Sequence, residues 1–178
     1  MFLETVFLIF SAVDMQAAEL IDVNYSCLIE EAVVEYPYIS ADGVKKMMNP
    51  ALIKAVIYCE SRGKPDAKSR TGAYGLTQIM PQTARLLGCD YDTLNKPKNA
   101  IECSVKFLAA LLTYNNGDIV KTLSGYNGGT YSTEKRPSEK EGELAGKIYN
   151  NPETKNYVVS VLKMFEYFKG CKKAKKCK

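Results

Sequence analysis

The stretch NPALIKAVIYCESRG, residues 49–63, decides how the rest of the chain is read. Asn49 suits a helix N-cap, and Pro50 fits the first helical position, where no backbone N–H is needed. No breaker follows until Gly63. Leu52, Ile53 and Val56 fall on one face, and Glu60 falls in line with them in the last turn. A carboxyl there meets the negative end of the helix dipole and apolar neighbours. Both disfavour its ionised form and raise its pKa from the ordinary ~4.3 towards a general acid's range. Arg62 opposes that shift. Taken alone, a glutamate at a helix end is more simply a solvated one, so the flanking residues must decide.

Working outward, residues 64–80 hold Pro65, Gly72 and Gly75 and read as loop with a small hairpin. Pro81 opens a short helix that ends at Gly88. Apolar Ile101, Val105, Leu108, Leu111 and Leu112 mark a long helix over 98–115, and a further one covers 118–126. Polar residues 130–142 read as exposed loop after Gly128-Gly129. Tyr157, Val158, Val161, Leu162, Phe165 and Phe168 give a last helix over 152–168. Upstream, 24–36 reads as helix, broken by Pro37 to Gly43. Strand signals are weak throughout, so the fold class is mainly α, a single domain with one long loop region after the helix that carries Glu60.

The chain has 178 residues, 46% of them hydrophobic and 25% charged, enough for one packed domain. It contains no His, which excludes Ser-His-Asp triads, Cys-His nucleophiles and every His-bearing metal site. No CxxC pair exists either, so no metal or cofactor is expected. Chemistry must come from carboxylates, Tyr, Ser, Cys or Lys. The formal charge is +4, yet no Lys or Arg precedes Lys45, and residues 169–178 form a basic, Cys-containing tail. That tail lacks aromatic interleaving, so nucleic acid is not an expected partner.

The apolar run TVFLIFSAV at 5–13 is shorter than a membrane span and is followed by small residues. Residues 1–18 therefore read as a signal peptide, despite Glu4 and Gln16 at positions where a leader has other residue types. Residues 19–44 are then an N-terminal helix and linker, 45–168 the main domain, and 169–178 the tail. Export to the periplasm, the cell envelope or the exterior agrees with six Cys, an even number in an oxidising compartment. Cys89 and Cys103 sit at the edges of two predicted helices and are the expected disulfide. Cys171 with Cys177, and Cys27 with Cys171, both stay open.

Downstream of Glu60 the run GAYGLTQIMP (72–81) supplies two glycines and Gln78, whose amide can donate and accept, as sugar hydroxyls and acetamido groups require. Residues 51–88 as a whole resemble the core of the soluble lytic transglycosylases, relatives of goose-type lysozyme. Ser124-Gly125-Tyr126-Asn127-Gly128-Gly129 resembles that family's Ala-Tyr-Asn-Ala-Gly segment, and Glu153-Thr-Lys-Asn-Tyr157-Val158 its final Glu-Thr-x-x-Tyr-Val helix. The resemblance spans residues 45–168 in the family's order. It departs at Thr77, where Met is usual and where a groove wall would change, and at Gly125 and Gly128, where Ala is usual.

The resemblance implies a lysozyme-like domain with a groove and gives the residues their roles. Glu60 is the single catalytic acid and base. Ser61 and Gln78 line the site, Tyr126 and Asn127 shape the groove and contact the sugar, and Tyr157 brings its hydroxyl near the Glu60 carboxyl. The implied reaction cleaves the β-1,4 bond between N-acetylmuramic acid and N-acetylglucosamine without water, leaving an anhydromuramic end. No second carboxylate has a comparable local signature. A hydrolytic muramidase and a non-enzymatic peptidoglycan-binding protein are the rival readings. The expected partners are peptidoglycan glycan strands and components of a secretion or conjugation machine, with the chain acting as a monomer.

Overall fold

The computed structural model describes residues 12–128 and 151–171. Within them run six α-helices: α1 Ala12–Glu35, α2 Pro50–Ser61, α3 Pro81–Leu86, α4 Pro97–Tyr114, α5 Ile119–Gly128 and α6 Pro152–Gly170. A two-stranded antiparallel sheet, β1 Tyr38–Ile39 with β2 Lys45–Lys46, follows α1, and a 3₁₀ turn Tyr91–Thr93 precedes α4. The loop between α2 and α3 carries two isolated bridges, Lys68 with Tyr74 and Tyr74 with Ile79, in place of a regular hairpin. The mainly α class holds.

The helix at 50–61 begins as its sequence dictates. The Asn49 side chain accepts from the Ala51 N–H at 3.0 Å, and Pro50 occupies the first turn. Ala51, Leu52, Ile53, Ala55, Val56, Ile57 and Tyr58 are all buried, so α2 is apolar nearly all round. Such a helix must sit inside the molecule. It does so, packed against α1, α6 and α4. Each fully buried Leu or Ile contributes about 1.5–3 kcal/mol, which makes this helix the centre of the fold.

Two apolar clusters divide the domain. The larger gathers α1, α2, α4 and α6 around Ile21, Ile29, Leu52, Ile53, Ile57, Leu108 and Val161. The smaller holds Ile79, Ala84, Leu94, Cys103, Phe107 and Leu111 beneath the α2–α3 loop. Tyr126 packs against both. The Asp22 carboxylate of α1 and the Lys54 ammonium of α2 form a largely buried ion pair, which pins the first helix to the central one.

Three helix expectations shift. The first helix is longer than 24–36 and runs unbroken across position 18, where Ala18 is buried. α5 continues through Asn127 to Gly128, beyond the expected end at 126. α6 reaches Gly170, beyond 168. The expectations for residues 1–11, for the loop at 130–142 and for the tail beyond Cys171 lie outside the described residues.

Cys89 and Cys103 form a disulfide with Cα atoms 6.0 Å apart, across the turn that leads into α4. Cys171 is a free thiol and Cys27 is disulfide-bonded. Neither pairing that used Cys171 is therefore made. α6 runs on to Gly170 and leaves that thiol beside Asp22, Tyr167 and Phe168.

Candidate active site

Glu60 lies one residue before the end of α2. Burial lifts its carboxyl to about 7 from the ordinary 4.5, and the Tyr157 hydroxyl of α6 partly offsets that rise. Arg62 does not compete for the carboxyl. Its backbone turns into the left-handed region (φ 55°), its guanidinium stacks 3.9 Å over the Tyr58 ring, and Nη1 pairs with Asp14 at 3.3 Å. The Tyr58 hydroxyl donates to the same Asp14 carboxylate. Desolvation therefore wins over the nearby cation. Among the described residues no other carboxylate acts on Glu60.

Tyr157 is half-buried with its hydroxyl enclosed, and that hydroxyl's pKa is pushed well up by burial and by the facing Glu60. The hydroxyl faces Glu60 but has no partner at full hydrogen-bond geometry. A buried, unpaired hydroxyl is costly, on the order of 1–3 kcal/mol. Here it is the donor best placed to answer a negative charge on Glu60.

Gln78 is held in the α2–α3 loop by strain and close approach. Its own φ is +50°, and Gly75 at φ +80° lies so near the 3₁₀ turn that an added Cβ would sit 2.2 Å from the Leu94 carbonyl oxygen. No residue with a side chain fits there. The Gln78 amide nitrogen donates to the Ala67 carbonyl at 2.9 Å and to the Gly75 carbonyl at 3.0 Å. Both its hydrogens are spent on the loop, which leaves the amide oxygen as the group Gln78 can offer a ligand.

Ser61 is buried, and its hydroxyl donates to the Leu76 carbonyl at 2.7 Å. It ties the end of α2 to the loop that carries Gln78. Thr77, expected in a groove wall, is fully buried, with its hydroxyl donating to the Ala100 carbonyl of α4 at 3.3 Å. The Thr77 carbonyl in turn accepts from the Tyr126 hydroxyl at 2.8 Å, while the Tyr126 ring stacks on Phe107 with centroids 5.1 Å apart. Tyr126 also lies within electrostatic reach of Glu60 and Tyr157. Asn127 follows it on α5, half-buried.

Glu60, Tyr126 and Tyr157 thus form one electrostatically linked group where α2, α5 and α6 meet. Ser61 and Gln78 are joined to it through the α2–α3 loop. Sequence reasoning missed Gly75's contact with Leu94 and the Asp14–Tyr58–Arg62 clasp, since both depend on segments distant in the chain. The two glycines flanking Ala73-Tyr74 were the one available hint of close approach. A concavity of about 420 Å³ lined by Tyr36, Ile39, Lys45, Lys106 and Thr113 contains none of these site residues. Among the described residues no cluster of His, Cys, Asp or Glu could hold a metal.

Comparison with known proteins points to one family. The family described as the transglycosylase SLT domain matches residues 37–149, well over half the chain. Peptidoglycan transglycosylase gp16 of Escherichia phage T7 is 40% identical over 84 residues, covering 44% of this chain and 6% of its own. The transglycosylase of Enterobacteria phage PRD1 is 33% identical over 118 residues, or 64% of this chain and 41% of its own. Membrane-bound lytic murein transglycosylase E of Buchnera aphidicola is 29% identical over 134 residues, 67% of this chain and 60% of its own. The chain thus spans under two thirds of each of these relatives.

In structure, the 70-kDa soluble lytic transglycosylase of Escherichia coli superposes with a TM-score of 0.64 at 19% identity, over 86% of this chain and 26% of that one. The complex of the 70-kDa soluble lytic transglycosylase with bulgecin A gives 0.65 at 21% identity, over 88% and 26%. At such identities the likeness establishes the lysozyme-like fold. With the sequence match over residues 37–149, the chain belongs to the transglycosylase SLT domain family.

Proposed function

We propose that this chain is a peptidoglycan lytic transglycosylase that cuts the N-acetylmuramic acid–N-acetylglucosamine β-1,4 linkage outside the cytoplasm. The observation that carries the reading is Glu60, a desolvated carboxyl at about 7 with one hydroxyl facing it. A two-carboxylate glycosidase needs a second acid across the bond. Among the described residues nothing of that kind acts on Glu60, which favours a mechanism where the substrate supplies its own nucleophile.

In this mechanism protonated Glu60 gives its proton to the glycosidic oxygen, and the N-acetylglucosamine side leaves with that oxygen. The acetamido group of the muramic residue stabilises the positive charge at its anomeric carbon. Glu60, now a carboxylate, takes the proton of the muramic C6 hydroxyl as that oxygen closes on the anomeric carbon. The proton returns to the enzyme and the product is an anhydro-sugar. Tyr157 has its role in the middle, donating to the carboxylate while Glu60 is charged. That relay needs a carboxyl equally able to hold and release a proton near neutrality.

The other residues position these events. Ser61 fixes the end of α2 against the loop through Leu76. The Gln78 amide oxygen accepts a substrate N–H or O–H, and Tyr126 with Asn127 forms the groove wall and meets the sugar. The chain acts as an exported monomer. Local wall remodelling is the cellular role, supported by the similarity to two phage-encoded transglycosylases. Components of a secretion or conjugation machine are the partners. The direct test is turnover of purified peptidoglycan by Glu60→Gln. The variant should fold and lose at least the 10²–10⁴-fold typical of a positioned proton donor. Cleavage at the unsubstituted rate would refute the assignment.

A further inference from the structure

The charge of this chain is unevenly placed around the site. Residues 62–100 contain seven Lys or Arg (62, 64, 68, 70, 85, 96, 98) against three Asp (66, 90, 92), which accounts for the entire formal charge of +4. Everything else cancels. The densest part is the first half of the α2–α3 loop, where Lys64, Lys68 and Arg70 lie within ten residues of Glu60 and are all exposed. None of the three is in a salt bridge among the described residues. Arg62, by contrast, is taken by Asp14.

These cations stand on a fixed rim. The Ala67 carbonyl, next to Lys68, accepts both from the Gln78 amide at 2.9 Å and from the Gly75 N–H at 2.9 Å. The Ser69 N–H donates to the Ala73 carbonyl at 2.9 Å, and the Ala73 N–H donates back to the Ser69 hydroxyl at 2.8 Å. Lys68 Nζ rests 5.4 Å from the centre of the Tyr74 ring. The loop that offers the charges is thus stitched to the segment that carries Gln78. A fixed positive rim beside a groove raises the local concentration of an anionic polymer and its rate of entry by about 10–10³-fold.

We propose that Lys64, Lys68 and Arg70 form an anion-reading rim that engages carboxylates on the glycan strand, those of the peptide side arms and of lactyl groups that carry no peptide. The proposal rests on the peptidoglycan reading above and adds a specificity to it: the enzyme favours acidic strands over charge-neutralised ones. The sugar chemistry at Glu60 needs no such charge, so the two can be separated experimentally.

The test compares the unsubstituted protein with the triple variant Lys64→Gln, Lys68→Gln, Arg70→Gln. Each is given native sacculi and sacculi whose carboxylates have been converted to amides with a carbodiimide and ammonia, and soluble glycan release is measured. At low ionic strength the variant should be about 10-fold slower on native sacculi and within about 2-fold on amidated ones. At roughly 0.5 M salt, where screening acts within a few Å, the native-sacculus difference should close. Equal losses on both substrates, or no loss on either, would overturn the rim while leaving the cleavage reading in place. No release from either substrate by the unsubstituted protein would overturn the reading beneath it. Circular dichroism and melting of the variant keep a folding defect from passing as a loss of the rim.

Discussion

Replacing Glu60 by Gln should stabilise the protein, by an amount set by pH. The carboxyl titrates at about 7 in the folded chain and at its ordinary 4.5 when exposed. Between those values the folded state holds a proton that the unfolded chain has already released. Stability then falls as pH rises through the window, and above about 7 the full cost of a buried carboxylate is in force. At about 1.4 kcal/mol for each pH unit of the interval, that cost is about 3 kcal/mol. Gln has a similar shape and no charge. Glu60→Gln should therefore gain about 3 kcal/mol at roughly pH 8.5 and close to nothing at roughly pH 4. For a chain of this size the gain corresponds to about 6–12 °C in melting temperature. Urea unfolding of both proteins at a series of pH values measures it. A difference that stays flat across the series would mean the carboxyl is not desolvated, and the argument for a neutral-pH acid would fail with it.

Tyr157→Phe removes a hydroxyl that is buried without a full partner, so stability should hold or rise while turnover falls. Because that hydroxyl lowers the Glu60 pKa, its loss should move the alkaline limb of the pH–rate profile to higher pH; a limb that stays put or moves down would show that the two groups do not interact. Gly75→Ala meets both a φ of +80° and the Leu94 carbonyl oxygen, so it should cost about 3 kcal/mol or more in chemical denaturation. A loss below about 1 kcal/mol would mean that the α2–α3 loop is not held against the 3₁₀ turn.

What the sequence made legible was local chemistry. Asn49 with Pro50, and Pro81, start helices because capping and proline geometry act within one turn, and the structure begins α2 and α3 at those residues. The Cys89–Cys103 pair was readable because the two lie only 14 positions apart, across the turn between α3 and α4. Cys27 was not, since the sequence offered it Cys171, whose thiol the fold leaves free. The strands Tyr38–Ile39 and Lys45–Lys46 are too short to show an alternating pattern. Thr77 was read as altering a groove wall because the family resemblance has Met at that position. Its hydroxyl instead turns inward to the Ala100 carbonyl of α4, a long-range partner that no local spacing reveals.

Glu60 was legible as a suspect from its helix and its apolar row. Its protonation was not. Arg62 stood two residues away with the opposite effect, and only the Asp14–Tyr58 clasp from α1 shows where that cation goes. The same limit applies to Gln78, whose side chain offered a donor and an acceptor on paper. The fold spends the donors on Ala67 and Gly75.

Mass spectrometry of the sugar ends left after digestion of purified sacculi reaches the core claim with least inference. If a lone carboxyl at position 60 serves first as acid and then as base to the muramic C6 hydroxyl, every new muramic end should be the anhydro form, one water lighter than the hydrolysed sugar. New ends that are predominantly reducing would show that water is the acceptor, and the mechanism argued for Glu60 would be wrong.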